Sequence, residues 1–234
     1  MRVNELTPPD FPPSLTMLKR PPIKLYARGN LALLHSLRSV AIVGARDATF
    51  DGLKITDRLT RWAVNQGATI VSGLALGIDG QAHMSCLAEG GNTIAVLPCS
   101  VEKIYPPAHR ALAENIVEQG GLLISEYTPT DTIQNHFFTA RNRLQVALSH
   151  CSVVVECRPK SGTMTHARAC LEQRHSLFCI QPRLDQSLNT HWQGPQHIVK
   201  TLGGIPLYSK DQYPELLNAM ENSPLNQPSL FSVE

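Results

Sequence analysis

Four short stretches of this sequence combine small residues, cations and aromatics in patterns suited to holding an anion or a base. The first is Gly44-Ala45-Arg46, directly after the apolar run Val40 to Val43. A dinucleotide-binding turn reads G-x-G-x-x-G, and Arg46 stands where the second glycine would let a pyrophosphate approach the backbone. That argues against a nicotinamide cofactor. The absence of any G-x-x-x-x-G-K-[ST] excludes a Walker-type motor as well, so no cofactor is expected. Arg46 instead presents a permanent, planar cation suited to phosphate, with a surface salt bridge as its alternative use.

The second stretch runs from Ser72 to His83 and contains Gly73 and Gly77. Its glycines can turn the backbone and offer N–H groups to an anion ahead of a helix, which brings Ser72 and Gly73 into the candidate site. Asp79 is placed to cap that helix. Asp79 and His83 are also spaced as a metal pair, but no third ligand accompanies them and no metal site is expected. The third stretch is Arg158-Pro159-Lys160-Ser161-Gly162-Thr163. Small residues again open a helix beside a cation, so Lys160, Ser161, Gly162 and Thr163 form a second candidate cradle. Ser161 as an ordinary N-cap is compatible with that role.

The fourth stretch is the most telling. Glu126 to Phe138 lacks periodicity, and long unpatterned loops inside compact domains are usually functional or disordered. It ends in Phe137 and Phe138, directly before a helix that opens with Arg141, Asn142 and Arg143. Aromatics can stack on bases while the arginines and the asparagine hold phosphates; one phenylalanine is expected to be buried and the other presented.

The elements that must position these stretches follow from apolar patterning. Runs at Val40 to Val43, Thr69 to Val71, Thr93 to Leu97, Leu122 to Ile124, Ser152 to Glu156 and Leu177 to Ile180 read as strands buried on both faces. Between them Ile55, Leu59, Trp62 and Ala63 repeat at helical spacing, as do Leu112, Ile116 and Val117, then Ala140, Leu144, Ala147 and Leu148, then Met164, Ala167 and Leu171. The expected fold is α/β and Rossmann-like, a mainly parallel sheet flanked by helices on both faces, with ligands at the carboxyl ends of the strands. Residues 1–38 read as a Pro-rich lead-in, 39–205 as the Rossmann-like domain, 206–220 as a short helical extension and 221–234 as a mobile tail.

At 234 residues and a formal net charge of +2, bulk electrostatics do not announce a nucleic-acid partner, so any anion site must be local. Six cysteines without a C-x-x-C pair or a secretory signal read as reduced cytoplasmic thiols. No apolar run approaches the ~18 residues of a membrane span.

Taken together, these residues resemble the DNA-processing protein A family (DprA, also called Smf) from about Pro21 to Lys200. The family pattern V-A-I-V-G-[SA]-R falls on Val40 to Arg46, and S-G-L-A-x-G-I-D-x-x-A-H on Ser72 to His83. The I-A-V-L and I-Y-P-P segments fall on Ile94 to Leu97 and Ile104 to Pro107, and I-S-E on Ile124 to Glu126. F-P-x-R-N-R falls on Phe138 to Arg143, and S-G-[ST] with E-Q on Ser161 to Thr163 with Glu172-Gln173. The resemblance implies a single-stranded DNA-binding protein, not an enzyme, that hands its strand to a RecA-type recombinase during natural transformation or recombination. It puts DNA contacts on Arg46, Phe137, Phe138, Arg141, Asn142 and Arg143. Two departures stand out. Thr139-Ala140 replaces a proline helix start, and Asp47 to Gly52 replaces a serine-and-tyrosine turn, setting acidic charge beside Arg46.

The alternative is a nucleotide-binding or nucleotide-hydrolysing protein of the related lysine-decarboxylase-like group. Its P-G-G-x-G-T-x-x-E signature would need a glutamate where this chain has His166. At the other end of the chain, Gln227-Pro228-Ser229-Leu230-Phe231 resembles the Q-x-[SD]-L-F peptide that docks on the bacterial DNA sliding clamp, with Gln227, Leu230 and Phe231 as contacts. Oligomeric state is left open, a homodimer included.

Overall fold

A nine-stranded sheet organises the computed structural model, which describes residues 2–182 and 189–226. Its strands are β1 (Asn4–Leu6), β2 (Leu25–Gly29), β3 (Ser39–Val43), β4 (Thr69–Ser72), β5 (Thr93–Leu97), β6 (Leu122–Ser125), β7 (Cys151–Val154), β8 (Ser176–Ile180) and β9 (Ile205–Leu207). The helices are α1 (Pro13–Thr16), α2 (Phe50–Asn65), α3 (Ile78–Ala88), α4 (Arg110–Glu118), α5 (Asn135–Ala140), α6 (Asn142–Ala147), α7 (Thr163–Glu172), α8 (Thr190–Leu202) and α9 (Tyr213–Glu221). The order across the sheet is β1-β2-β6-β5-β4-β3-β7-β8-β9. From β6 to β9 all neighbours are parallel, while β1 and β2 join antiparallel beside β6.

The six expected strands appear in order and within two residues of their expected ends. Apart from Ser176 at the start of β8 they are buried throughout, because helices cover both faces. On one face Val40 and Ile42 pack against Leu59 and Ala63 of α2 and Ile78 and Ala82 of α3. On the other, Ala41 and Val71 meet Leu144 and Ala147 of α6, and Val43 and Val154 meet Met164 and Ala167 of α7. The six cysteines are free and buried, and burial pushes the Cys86 thiol up to about 12. Among the described residues, no helix is long and apolar enough to cross a membrane.

Two expectations about organisation are corrected. The lead-in contributes β1, β2 and α1, whose Leu6, Leu15, Leu25 and Ala27 join the core. Its prolines punctuate these short elements rather than preventing structure. The expected boundary at 205 falls inside β9, a three-residue strand carrying Pro206 that is too short for an apolar run to reveal. Gln227, Leu230 and Phe231 lie outside the described residues.

The strand order reverses between β4, β3 and β7. Chain leaving β3 turns toward α2 and chain leaving β7 toward α7, which opens a crevice over the carboxyl ends of these two strands.

Two fully buried histidines lie on either side of this framework. His83 on α3 donates from Nδ1 to the Thr93 hydroxyl at 2.8 Å, because that hydroxyl's own proton goes to the Ile70 carbonyl. His166 on α7 pairs its Nε2 with the Ser152 hydroxyl at 3.0 Å. Burial, with smaller contributions from a neighbouring histidine and Arg141, pushes each imidazole from 6.5 down to about 3. Both are therefore neutral at pH 7. The unfolded chain binds two protons as pH falls through 6.5, whereas the folded chain binds none until near 3. Stability from these groups is complete above about 6.5 and declines by up to about 2.7 kcal/mol per pH unit between those limits. Urea denaturation from pH 7 to 4 should show this decline, and replacing His83 and His166 with glutamine should flatten it.

Candidate nucleic-acid interface

The turn after β3 is held from beneath by a carboxylate. Glu156, fully buried at the end of the β7 run, accepts the Thr49 backbone N–H at 2.6 Å and the Thr49 hydroxyl at 2.7 Å. Its backbone carbonyl accepts the Ala45 N–H at 2.8 Å. Thr49 in turn caps α2 by accepting from the Gly52 N–H, so negative charge sits at a helix N-terminus, where the helix dipole favours it. The turn is thereby fixed with Arg46 standing exposed at its crest. Its guanidinium lies over the Phe138 ring, 4.9 Å from the centroid.

A second fixed point is Arg141, at the elbow between α5 and α6. Only 7% exposed, it reaches Asp79 at 3.4 Å and the Val96 carbonyl at 3.4 Å. It fits because residue 73 is glycine; a methyl group there would lie 1.3 Å from Nη1. The Asp79 carboxylate also accepts the Gly73 N–H at 3.2 Å. Leu74 follows with φ of 57°, a strained value for a branched side chain, and its carbonyl is bonded by His109 at 2.8 Å.

Between these fixed points lies a cleft of about 420 Å3 over the ends of β3 and β7. Four cations line it, Arg46, Arg141, Arg158 and Lys160, and two carboxylates, Asp47 and Asp79. Asp47 pairs with Arg158 at 2.6 Å and Asp79 with Arg141. Arg46 and Lys160, both exposed, have no carboxylate partner among the described residues. A narrower recess beside the cleft shares Arg46, Phe138 and Arg141 and adds Tyr105 and Pro98.

Of the residues expected at the site, Arg46, Phe138, Arg141, Asn142, Lys160, Ser161, Gly162 and Thr163 line this one cleft. Others have different employment. Ser72 is fully buried with its hydroxyl on the Ile42 carbonyl at 2.7 Å, and the Gly73 N–H is taken by Asp79, so neither offers a donor to an anion. Asp79 does not cap α3. Gly77 occupies the N-cap with φ of 74° and no side-chain cap, which frees Asp79 for Arg141. Gly162, not Ser161, is the N-cap of α7, and the Thr163 hydroxyl donates to the Gly44 carbonyl at 3.1 Å. Asn142 spends its amide on Thr165 at 2.7 Å, pinning α6 to α7. Arg143 does not line the cleft: its fork closes on Glu126 at 2.6 and 2.7 Å, and its Nε donates to the Arg20 carbonyl at 3.0 Å. No cluster of three or more metal-ligating side chains exists among the described residues.

The two phenylalanines belong to α5 rather than to a loop, and neither is fully buried. Phe137 stacks on Tyr127 with centroids 3.7 Å apart and planes 14° from parallel, anchoring the segment outside the cleft. Phe138 meets Tyr105 edge-on at 5.7 Å and lines both cavities. Tyr105 and Gln145 are further lining residues outside the expected site, and Arg158, Asp47 and His166, noted in the sequence beside or against the candidate cradles, line it as well. Gln145 could have been found, because it follows Asn142 by three residues and so shares its helical face. Tyr105 stood inside the Ile104 to Pro107 segment. The acidic charge expected beside Arg46 is instead absorbed by Arg158.

A buried ion pair that loses one member leaves the other uncompensated, which typically costs 3–5 kcal/mol. Arg141→Met should therefore destabilise the protein by about that amount in urea denaturation. Adding Asp79→Asn should restore most of the loss, and no recovery in the double variant would mean that the pair is not what holds the elbow.

Comparison with known proteins places this geometry in context. A family model described as DNA recombination-mediator protein A matches residues 3–206. The chain is 38% identical to protein Smf of Synechocystis sp., the match covering 91% of this chain and 57% of that protein. It is 35% identical to DNA processing protein DprA of Bacillus subtilis, covering 73% and 57% respectively. The chain thus spans little more than half the length of these curated relatives. Among solved structures it superposes with a TM-score of 0.83 on DNA processing protein A from Helicobacter pylori, described for its single-stranded DNA binding mode, at 32% identity, covering 93% of this chain and 97% of that one. For DprA from Streptococcus pneumoniae the TM-score is 0.82 at 29% identity, covering 92% and 74%. A looser match to the molybdenum cofactor binding protein of Rippkaea orientalis, with a TM-score of 0.54 at 17% identity and covering 78% and 96%, is one of fold alone.

Proposed function

The chain belongs to the DNA recombination-mediator protein A family, and on that footing we propose that its cleft holds single-stranded DNA for transfer to a RecA-type recombinase in DNA uptake or recombination. The observation that carries this reading is the pair of exposed cations without carboxylate partners, Arg46 and Lys160, at the mouth of a cleft that also presents Phe138. Unpaired cations attract the backbone at no cost in broken ion pairs, and an aromatic face accepts any base. The single-strand binding mode described for the H. pylori relative supports the same assignment.

Binding without turnover is the reading that suits the cleft's acid–base groups. Its two carboxylates are engaged by arginines, and His166, at the place of the glutamate in the lysine-decarboxylase-like hydrolases, is neutral and bonded to Ser152. General acid–base work on a nucleotide needs a carboxylate free to exchange a proton. Incubation with nucleoside monophosphates should release no free base.

Arg46→Glu should weaken binding of a single-stranded oligonucleotide roughly 10–100-fold, the range expected for losing a charge-assisted contact, while stability changes by less than about 0.5 kcal/mol. A neutral residue at position 46 or 160 should each flatten the log–log salt dependence of binding by about 0.7. Neutralising Arg143, whose charge is already met by Glu126, should leave that slope unchanged. Phe138→Ala should cost roughly 1–3 kcal/mol of affinity with no change in slope. Unaltered binding by Arg46→Glu would remove the cleft from the function.

The tail sequence from Gln227 to Phe231 carries a separate proposal, docking on a DNA sliding clamp through Leu230 and Phe231. A short peptide that docks through two apolar anchors associates weakly and reversibly, as a transient contact requires. A peptide spanning residues 223–234 should bind a bacterial clamp, and the version with Leu230 and Phe231 both changed to alanine should not. Equal signals from the two would end the proposal.

A further inference from the structure

Outside the cleft, α2 carries a row of side chains that the core does not use. Phe50 is 71% exposed at the first position of the helix, and the Lys54 ammonium lies 4.2 Å from the centre of its ring. Arg58 follows at the same spacing, so Phe50, Lys54 and Arg58 stand at i, i+4 and i+8 on one side of the helix. The row ends where Trp62 packs against Tyr213 of α9, with ring centroids 5.2 Å apart. Lys54 and Arg58 are exposed and take part in no ion pair among the described residues, whereas Arg61 is closed on Asp57 and Glu89. The acid of the first turn, Asp51, is already engaged within the protein.

The row begins at the mouth of the cleft. Asp47, which lines the cleft, precedes Phe50 by three residues, a reach of at most about 10 Å. Glu156 holds the Thr49 N–H and hydroxyl from beneath, so the entry to α2 is fixed and Phe50 with it. The Asp47 charge that lies on the way is met by Arg158. From Phe50 to Arg58 the helix rises about 12 Å, which is room for more than one nucleotide beyond those in the cleft.

A single exposed phenylalanine is an ordinary surface feature. Here the ring is followed by cations set along a line, and an aromatic face for a base beside charges for the backbone is the combination that sequence-neutral single-strand sites employ. An acidic protein surface would meet the charges and gain little from the ring; a nucleotide uses both. Phe50 stands in the Asp47 to Gly52 stretch, where this sequence departs from the family pattern, so the row is a feature of this chain.

We propose that a single strand leaving the cleft continues along α2, with one base stacked on Phe50 and its phosphates held by Lys54 and Arg58. This rests on the single-strand reading of the cleft and lengthens that site by the side of one helix.

The test uses two thymidine strands, one of about four nucleotides, short enough to be held by the cleft alone, and one of about twelve. Phe50→Ala should weaken binding of the long strand roughly tenfold, the worth of one base–aromatic stack, and leave the short strand's affinity and the urea midpoint unchanged. Phe50→Trp should keep the affinity for the long strand. Lys54→Gln and Arg58→Gln should each flatten the log–log salt dependence of long-strand binding by about 0.7 and leave that of the short strand alone. Long-strand binding unaltered by Phe50→Ala and by both glutamine variants would overturn the proposal and leave the cleft reading intact. Equal losses for the two strands would overturn it as well, since the row would then add nothing to the strand's length. Binding of neither strand by the wild-type protein would refute the cleft reading and the proposal with it.

Discussion

The ion pair between Arg141 and Asp79 is the constraint on which the site depends. It joins three segments that are distant in sequence: the turn after β4, the end of β5 through the Val96 carbonyl, and the elbow between α5 and α6. The buried guanidinium has its charge met by Asp79 while its Nε finds no partner among the described residues, and the missing side chain at Gly73 is what leaves room for it against the backbone. With the elbow fixed, Phe138 can face the cleft while Phe137 is stacked away on Tyr127, and Asn142 is turned toward α7. The orientation of α5 is thus a consequence of one charged contact rather than of an apolar stripe, since α5 buries none of its residues.

The local electrostatics follow a similar division. A formal net charge of +2 conveys little about partners, yet the cleft gathers four cations against two carboxylates. The carboxylates neutralise the cations that build the walls, Arg141 and Arg158, and leave those at the mouth without a counter-charge. Structural and ligand-facing arginines are indistinguishable by residue type; what separates them here is whether an acid lies within reach.

That distinction marks the limit of what could be read in advance. The central strands and the helices of the alternating unit were legible, because burial on both faces leaves unbroken apolar runs and covering helices leave a regular stripe. That ligands belong at the carboxyl ends of the strands followed from the strand–helix alternation, and Arg46, Phe138 and the Lys160 to Thr163 segment line the cleft there. The employment of individual side chains was not legible. Ser72 and Gly73 look like an anion cradle in one dimension, but their donors are turned inward by Ile42 and Asp79. Arg143 is two residues from Arg141 yet points to Glu126, because successive helical residues face different directions. Edge strands of three residues, β1 and β9, are too brief to carry a periodic signal.

Those marginal strands bear on how the protein avoids sticking to itself. A parallel sheet ends in rows of unpaired backbone groups that invite another chain to add on. On one side β2 runs antiparallel along β6, and beyond it lies only the three-residue β1, whose Glu5 pairs with Lys24 at 2.6 Å. On the other side the last strand carries Pro206, whose ring cannot donate to a further neighbour. The Pro-rich start of the chain therefore covers the β6 edge of the parallel sheet. A fragment begun at Ser39 would keep every residue of the cleft and yet present the bare flank of β6 to other molecules.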